Sequence, residues 1–335
     1  MREKITLDYS VLNKLTQSFG PSGREESIRR LLISLVKDHC DEIICDRLGN
    51  LIVHKKGPGK KVLVAVHMDE IGLIITNVDP KGFLRYSAVG GLRSRDLVHT
   101  RVRFENDVYG MISKETDIYG EKKLEKYYID SPAIEACSQD LIGEMAVLFG
   151  PYNESKDRVI AKSLDNRAGC FAAVEVLKQI QSRDDLYVVF TVQEEVGTRG
   201  AKIAANVLQP DLAIVLDATI ADDFPENKNC TIALGKGCGI KVMDRSIIIS
   251  PEIREWIAGI AREKQIPFQW EILDKGGTDS GPIHLAHGGI LTGGISIPIR
   301  HIHTPGEIAD KNDIQAAADL LYALLNTSEA SERKT

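Results

Sequence analysis

The sequence feature that most constrains the fold of this chain is an apolar run followed closely by two adjacent acids. Residues 186–192 are rich in β-branched and aromatic side chains, and Glu194 and Glu195 follow almost at once. A short run of this composition is typical of a buried parallel strand. Ligands of open α/β sheets bind beyond the carboxyl ends of the strands, so the acids stand where a site is expected. Taken alone, such a pair is more often ordinary surface charge.

The same arrangement recurs along the chain, where a strand-like run or the loop before a helix delivers a histidine or a carboxylate. The residues concerned are His67, Asp69, Asp165, Asp217 and His303. An isolated His-x-Asp such as that at 67–69 more often just ends a strand. Because the carboxyl ends of parallel strands meet at one edge of a sheet, we expect these side chains to converge there.

The rhythm of the sequence predicts an α/β domain with an insertion. Helical and strand patterns alternate over residues 1–74 and 159–335, as expected for an α/β domain. Between them, residues 75–158 show short strands separated by glycines, with a helical pattern only at 131–141. A chain of 335 residues is long enough for one large domain with a small β-rich domain inserted in it.

Local signals near the N-terminus predict two helices and a hairpin. Residues 7–19 form the first helix, and Ser22 and Glu25 have the spacing of a capping box for the second. Residues 43–45 and 51–53 are predicted to pair as a hairpin.

Composition argues against several classes of partner. The formal net charge is -6 and no basic stripe is present, which disfavours nucleic acid. The N-terminus lacks the apolar core of a signal peptide, and no stretch is long enough to span a bilayer, so we expect a cytoplasmic protein with no membrane partner. The six cysteines contain no Cys-x-x-Cys pair and are predicted to be reduced core residues.

The convergent residues favour metal chemistry. Two histidines and several carboxylates at one sheet edge suit zinc or cobalt, which accept mixed nitrogen and oxygen ligands. One metal needs only three protein ligands, and the chain offers five candidates. The surplus points to two metals roughly 3.5 to 4 Å apart, bridged by a carboxylate and a water.

At this point the sequence resembles a known family, the M42 dinuclear metallo-aminopeptidases, which includes glutamyl, leucyl and tetrahedral aminopeptidases. The resemblance covers nearly the whole chain and implies a zinc-peptidase-like α/β/α sandwich with a smaller β-rich domain used in oligomer contacts. The motifs that carry it are His67-x-Asp69, Leu164-Asp165-Asn166-Arg167-Ala168-Gly169, Gln193-Glu194-Glu195-Val196-Gly197, Leu216-Asp217 and His301-Ile302-His303-Thr304-Pro305. The stretches Gly276-Gly277-Thr278-Asp279 and 282–286 look like its substrate-side loop.

The resemblance also implies roles for single residues. Asp165 would bridge two divalent ions, with zinc expected and cobalt or manganese as alternatives. The remaining ligands would be His67 and Asp217 at one ion, and Glu195 and His303 at the other. Catalytic roles fall to Glu194, as general base for a water bridged between the metals, and to Asp69, which would hold His67.

The implied activity is removal of N-terminal residues from peptides with a free N-terminus. A homo-oligomer built from dimers, up to a dodecamer, is expected. Three other readings of the residues stay open: a metal-dependent deacylase of small amides, a glycosidase using Glu194 and Glu195 as acid and nucleophile, and a non-catalytic scaffold. The preferred N-terminal side chain is also open.

Overall fold

The computed structural model describes residues 4–115, 126–132, 139–228 and 230–327. Its α-helices are α1 Tyr9–Gln17, α2 Glu26–Val36, α3 Leu164–Gln179, α4 Arg199–Leu208, α5 Pro251–Glu263, α6 Ser280–His284 and α7 Lys311–Asn326. Single 3₁₀ turns lie at Lys37–His39, Ser94–Leu97, Gln139–Leu141 and Ala286–Gly288.

The strands fall into two groups. Those of a large sheet are β1 Glu42–Cys45, β2 Leu51–Lys55, β3 Lys61–His67, β10 Asn153–Glu154, β11 Arg158–Ala161, β12 Asp185–Thr191, β13 Leu212–Ile220, β14 Cys238–Met243, β15 Phe268–Ile272, β16 Leu291–Arg300 and β17 Glu307–Asp310. Those of a small barrel are β4 Gly72–Val78, β5 Leu84–Val89, β6 Arg101–Phe104, β7 Tyr109–Lys114, β8 Tyr127–Asp130 and β9 Met145–Leu148.

The large sheet has the order β1-β2-β12-β3-β13-β16-β17-β11-β10, and β14 pairs with β16 and with β15. Strands β12, β3, β13 and β16 run parallel to one another at its centre. Helices cover both faces, because alternate side chains of a strand point to opposite sides. On β3, Val62, Val64 and Val66 pack with the helices α1, α2, α3, α5 and α7, whereas Leu63 and Ala65 pack with α4 and α6. The predicted α/β/α sandwich is confirmed.

The β-rich part is a closed six-stranded barrel with the order β4-β5-β8-β7-β6-β9. Its interior is apolar and includes Leu73, Val102, Ile112 and Ile129. The prediction of a smaller β-rich domain beside the α/β domain is confirmed. Of the helix predicted at 131–141, residues 133–138 lie outside the described part of the chain, and Gln139–Leu141 is a 3₁₀ turn.

The local predictions were partly right. Helix α1 covers the middle of the predicted range, and β1 pairs with β2 as an antiparallel hairpin. The capping box was wrong. Helix α2 begins after Glu25 without a side-chain cap, because the Ser22 hydroxyl donates instead to a buried carboxylate oxygen of Asp69, at 2.6 Å.

The cysteine prediction also held only in part. Cys170 and Cys238 are buried, but Cys45 and Cys230 are exposed. Cys137 lies outside the described residues. Among the helices that the structure describes, none combines the length and the apolar character needed to cross a bilayer.

Candidate metal centre and active site

Three neighbouring parallel strands deliver most of the predicted site residues. His67 is the last residue of β3 and pairs in register with Thr191, the last residue of β12. Glu194 and Glu195 follow that strand after a bend at Val192. The strand was predicted to end at Asp217, but Asp217 lies inside β13, because pairing with β16 continues for three residues beyond it.

Asp165 and His303 arrive from outside these strands. Asp165 and Asn166 lie in the first turn of α3 with non-helical backbone angles. The Asn166 side chain donates to the Leu216 carbonyl at 2.9 Å, which holds this turn against β13. His303 lies in the turn between β16 and β17, with a left-handed φ of 64°.

The five predicted metal ligands come together in two groups that share Asp165. In the first, His67 Nε2 lies 3.1 Å from Asp165 Oδ1 and 3.3 Å from Asp217 Oδ1. In the second, His303 Nε2 lies 3.1 Å from Glu195 Oε2 and 3.6 Å from Asp165 Oδ2. Within each group the ligand atoms lie within 4.8 Å of one another. Asp165 therefore presents one carboxylate oxygen to each group.

The donor set fits divalent cations. It combines imidazole nitrogen with carboxylate oxygen, the ligands that zinc, cobalt and manganese accept. The Glu195 Oε1 atom is buried and has no hydrogen-bond partner among the described residues. Buried charges are normally paired with other charges or bound to metals, and an unpaired acceptor costs free energy. A cation would satisfy that oxygen and offset the clustered negative charge.

The electrostatics of the two groups agree with this reading. Burial acts to lower the pKa of His303, but hydrogen bonds and charge from Asp165 and Glu195 raise it to about 11. Burial likewise opposes protonation of His67, yet Asp217, Asp165 and Asp69 together raise its pKa well above the usual value. The surrounding carboxylates thus create a potential that attracts positive charge.

Glu194 differs from its neighbour Glu195. It belongs to neither group of candidate ligands, although it lines the same cavity. Burial raises the pKa of the Glu194 carboxyl well above its usual range. His67 opposes this shift, whereas the charges of Asp217 and Asp279 add to it. A carboxylate with a raised pKa is suited to accept and release a proton near neutral pH.

Asp69 is fully buried beside His67 and Glu194. Its Oδ1 atom lies 3.5 Å from His67 Nδ1, which is long for a hydrogen bond. The same oxygen accepts a hydrogen bond from the Glu194 backbone amide at 3.0 Å, and Oδ2 accepts one from the Glu195 amide at 3.2 Å. Asp69 therefore contacts the backbone of the acidic pair as well as the histidine ring.

Two further residues at the site were not found from the sequence. Glu307 is buried and accepts hydrogen bonds from the backbone amides of Asp165, at 2.9 Å, and His303, at 2.8 Å. Gly91, on the loop after barrel strand β5, places its carbonyl oxygen 3.2 Å from His303 Nδ1. A β carbon at Gly91 would lie 2.8 Å from that nitrogen, so the close approach requires glycine.

A cavity of about 440 Å³ opens over the two groups. The predicted substrate-side loop contributes Gly276, Gly277 and Thr278 to its wall, and Lys275 lies beside them. The Thr278 hydroxyl donates to a buried carboxylate of Asp244 at 3.0 Å, which fixes this loop. Residues 282–286 are not among the described residues that line the cavity.

The parallel strands of the α/β/α sandwich end at two joined groups of nitrogen and oxygen ligands, and the separate Glu194 carboxylate lies in the same cavity. These features define a metal-dependent hydrolase. Residues 49–320 match the family model described as M42 glutamyl aminopeptidase. The chain belongs to this family and is a metal-dependent aminopeptidase.

Individual relatives and solved structures are similar to this chain over nearly their whole length. The chain is 47% identical to a putative aminopeptidase of Acetivibrio thermocellus, over 93% of this chain and 97% of the relative. An aminopeptidase structure from Desulfurococcus kamchatkensis has a TM-score of 0.90 at 33% identity, covering 97% of this chain and 98% of that one. The PhTET1 dodecamer structure has a TM-score of 0.84 at 31% identity, covering 96% and 99%. A Thermotoga maritima structure named as an endoglucanase has a TM-score of 0.80 at 30% identity, covering 96% and 97%.

Proposed function

We propose that this aminopeptidase binds two divalent ions per subunit through the two groups joined by Asp165, and that Glu194 is its general base. The observation that supports this most is the sharing of Asp165, whose two oxygens face different groups. The first ion would be held with His67 and Asp217, and the second with Glu195 and His303. Zinc is expected, with cobalt or manganese as alternatives.

Bound there by His67, Asp165, Glu195, Asp217 and His303, divalent ions would supply Lewis acidity for the hydrolysis of an amide bond by water. The remaining steps belong to the chain itself. Glu194 takes a proton from the attacking water and passes it to the departing amine. Its burial and the nearby acids favour uptake of that proton. Asp69 fixes the backbone from which Glu194 projects and faces the outer nitrogen of His67.

The charge of the cavity bears on which N-terminal residue is preferred. Two divalent ions would balance the four carboxylates that line the cavity, which are those of Asp165, Glu194, Glu195 and Asp217. Lys275 is the only lysine or arginine among the described residues that line the cavity. We therefore propose that peptides beginning with an acidic residue are cleaved faster than those beginning with a basic one.

The proposal is tested by metal analysis joined to a substrate screen. Purified protein should contain close to two divalent ions per chain and lose activity in EDTA, with recovery on adding zinc or cobalt. It should cleave amino-acid nitroanilides but spare the matching N-acylated compounds, because an aminopeptidase requires the free amine. Cleavage of the acylated compounds alone would indicate a deacylase, and inertness of the metal-loaded protein towards every peptide would indicate a scaffold. EDTA-resistant hydrolysis of a β-glucan would indicate the glycosidase.

We also propose that the chain forms a homo-oligomer and that the inserted domain, predicted at 75–158, provides contacts between copies. The similar PhTET1 structure is a dodecamer. Large apolar side chains of Tyr109, Met111 and Ile142 are exposed in this part of the chain. Light scattering coupled to size-exclusion chromatography should give a mass well above that of one chain. A monomer at micromolar concentration would contradict the proposal.

A further inference from the structure

Three consecutive backbone amides at the acidic pair donate to two buried carboxylates that are not candidate metal ligands. The Gln193 amide donates to Glu25 Oε1 at 3.2 Å. The amides of Glu194 and Glu195 donate to the two oxygens of Asp69, at 3.0 and 3.2 Å. Gln193 itself has a left-handed φ of 56°, so this segment departs from the strand in an uncommon conformation. The hydrogen bonds hold it there.

Glu25 and Ser22 both lie in the link between α1 and α2, and Ser22 is a hydrogen-bond partner of Asp69. The Ser22 hydroxyl donates to Asp69 Oδ2 at 2.6 Å. The Ser22 amide also donates to the Glu70 carbonyl at 3.1 Å, which fixes the link beside Asp69. Glu25 accepts a second hydrogen bond, from the Gly23 amide at 2.7 Å. Ser22 and Glu25 are only 6% and 5% exposed, so water contributes little to their hydrogen bonding.

The hydrogen bonds of the Ser22 hydroxyl and the Glu25 carboxylate indicate a role other than starting helix α2. A capping box would satisfy amides of α2 at little cost, yet α2 has no side-chain cap. Placing two carboxylates in the interior is unfavourable unless hydrogen bonds compensate each of them. The compensating bonds of Glu25 and Asp69 run to the segment that carries Glu194. Both Ser22 and Glu25 also lie outside the residues that match the family model.

We propose that Ser22 and Glu25 are positioning residues, which fix the backbone of residues 193–195 and thereby the place of the Glu194 carboxylate. The inference rests on the proposed role of Glu194 as general base. Neither residue is among those lining the cavity, so their effect on the reaction passes through the backbone. A displacement of about 1 Å in a catalytic group can lower a rate by about 100-fold.

The test compares Glu25→Ala with Glu26→Ala, and Ser22→Ala with Ser27→Ala. Glu26 is exposed and Ser27 is half-buried, and both side chains make contacts away from the acidic pair. In Glu25→Ala and Ser22→Ala, we expect kcat to fall by roughly tenfold to 100-fold. KM should stay within about twofold of the parent, because neither residue lines the cavity. kcat is compared at saturating metal, because the segment that these residues hold also carries the proposed ligand Glu195. Glu25→Gln keeps an acceptor oxygen and should recover most of the lost kcat.

A second readout does not depend on catalysis. In metal-free protein, hydrogen exchange in a peptide containing residues 193–195 should be roughly tenfold faster in Glu25→Ala than in Glu26→Ala. Exchange in a peptide from β13 should be unchanged. If Glu25→Ala does not fold, the same comparison is made with Ser22→Ala, which removes a single hydroxyl. Equal exchange and equal kcat in variants and controls would overturn the proposal.

Different results would contradict the general-base role of Glu194 and the positioning role of Ser22 and Glu25. If Glu194→Gln keeps full turnover while exchange at 193–195 still responds to Glu25→Ala, the general-base role is wrong and the backbone contact stands. If Glu194→Gln is inactive and exchange does not respond, Ser22 and Glu25 do not position the segment.

Discussion

Replacing each glutamate of the acidic pair by glutamine should separate catalysis from metal binding at adjacent positions. Glu195 Oε2 lies 3.1 Å from His303 in one ligand group, whereas Glu194 belongs to neither group. Glu194→Gln should therefore keep its metal content and lose turnover. Glu195→Gln should lose metal from the group it shares with His303, and its activity should fall with the metal.

The magnitude for Glu194→Gln follows from its role and surroundings. Loss of a general base lowers a rate by about 100- to 10,000-fold, or roughly 2.7 to 5.4 kcal/mol of barrier. Stability should not fall, because loss of solvation and the charges of Asp217 and Asp279 together disfavour the Glu194 carboxylate more than His67 favours it. The neutral amide has nearly the same volume. We expect the thermal midpoint of metal-free Glu194→Gln to equal or exceed that of the parent.

The assay measures three quantities on the same preparations. They are kcat and KM with an amino-acid nitroanilide, metal content by mass spectrometry, and metal affinity by calorimetry. For Glu195→Gln, affinity at one position should weaken by about 100-fold or more, since loss of outer-shell partners alone weakens metal sites 10- to 100-fold. Glu194→Gln with parental turnover, or with the same metal loss as Glu195→Gln, would refute the division of roles.

Three further outcomes are expected. Glu307→Ala removes the acceptor for the amides of Asp165 and His303, and should weaken metal binding by about 10- to 100-fold in calorimetry. Lys275→Glu should lower kcat/KM for acidic N-terminal residues relative to basic ones by at least about tenfold. Burial raises the pKa of Asp313 to about 7, so its ionisation should reduce the free energy of unfolding as pH rises from about 4 to 7, and Asp313→Asn should flatten that part of the profile in urea titrations.

Each of these has a clear contrary result. Parental metal affinity in Glu307→Ala would show that the two amides need no buried acceptor. An unchanged ratio of acidic to basic cleavage in Lys275→Glu would remove Lys275 from the choice of substrate. The sign for Asp313 is fixed, because its folded-state pKa lies above the unfolded value and the native state holds the extra proton between them. A parallel pH profile in Asp313→Asn would contradict it.

Much of the architecture could be predicted because short-range patterns determine it. The apolar runs before His67 and Glu194 are buried on both faces of the sheet, and parallel strands of this kind carry a continuous apolar signal. Their carboxyl ends then meet without further information, which brings the histidine and the acids to one edge. The end of β13 was misplaced because pairing with β16 extends the strand past Asp217, and pairing is a non-local property.

The residues that support the ligands could not be predicted in the same way. Ser22 and Glu25 have the local spacing of a helix cap, and only the fold shows that buried partners elsewhere in the chain replace the helix amides. Glu307 has no motif of its own, and its two partners are 142 and 4 positions away. From the sequence, Gly91 was interpreted only as one of the glycines that separate the short strands of the insertion. Local pattern does not report contacts that depend on how distant segments dock.

The carbonyl of Gly91 joins the barrel to the imidazole of His303. Removing or exchanging the barrel would therefore change the surroundings of a proposed metal ligand. A chimera carrying a barrel from another source must reproduce the 90–91 loop, or His303 Nδ1 loses its contact with the Gly91 carbonyl oxygen. In the proposed association of copies through the barrel, a displacement of the barrel would reach His303 through the Gly91 carbonyl.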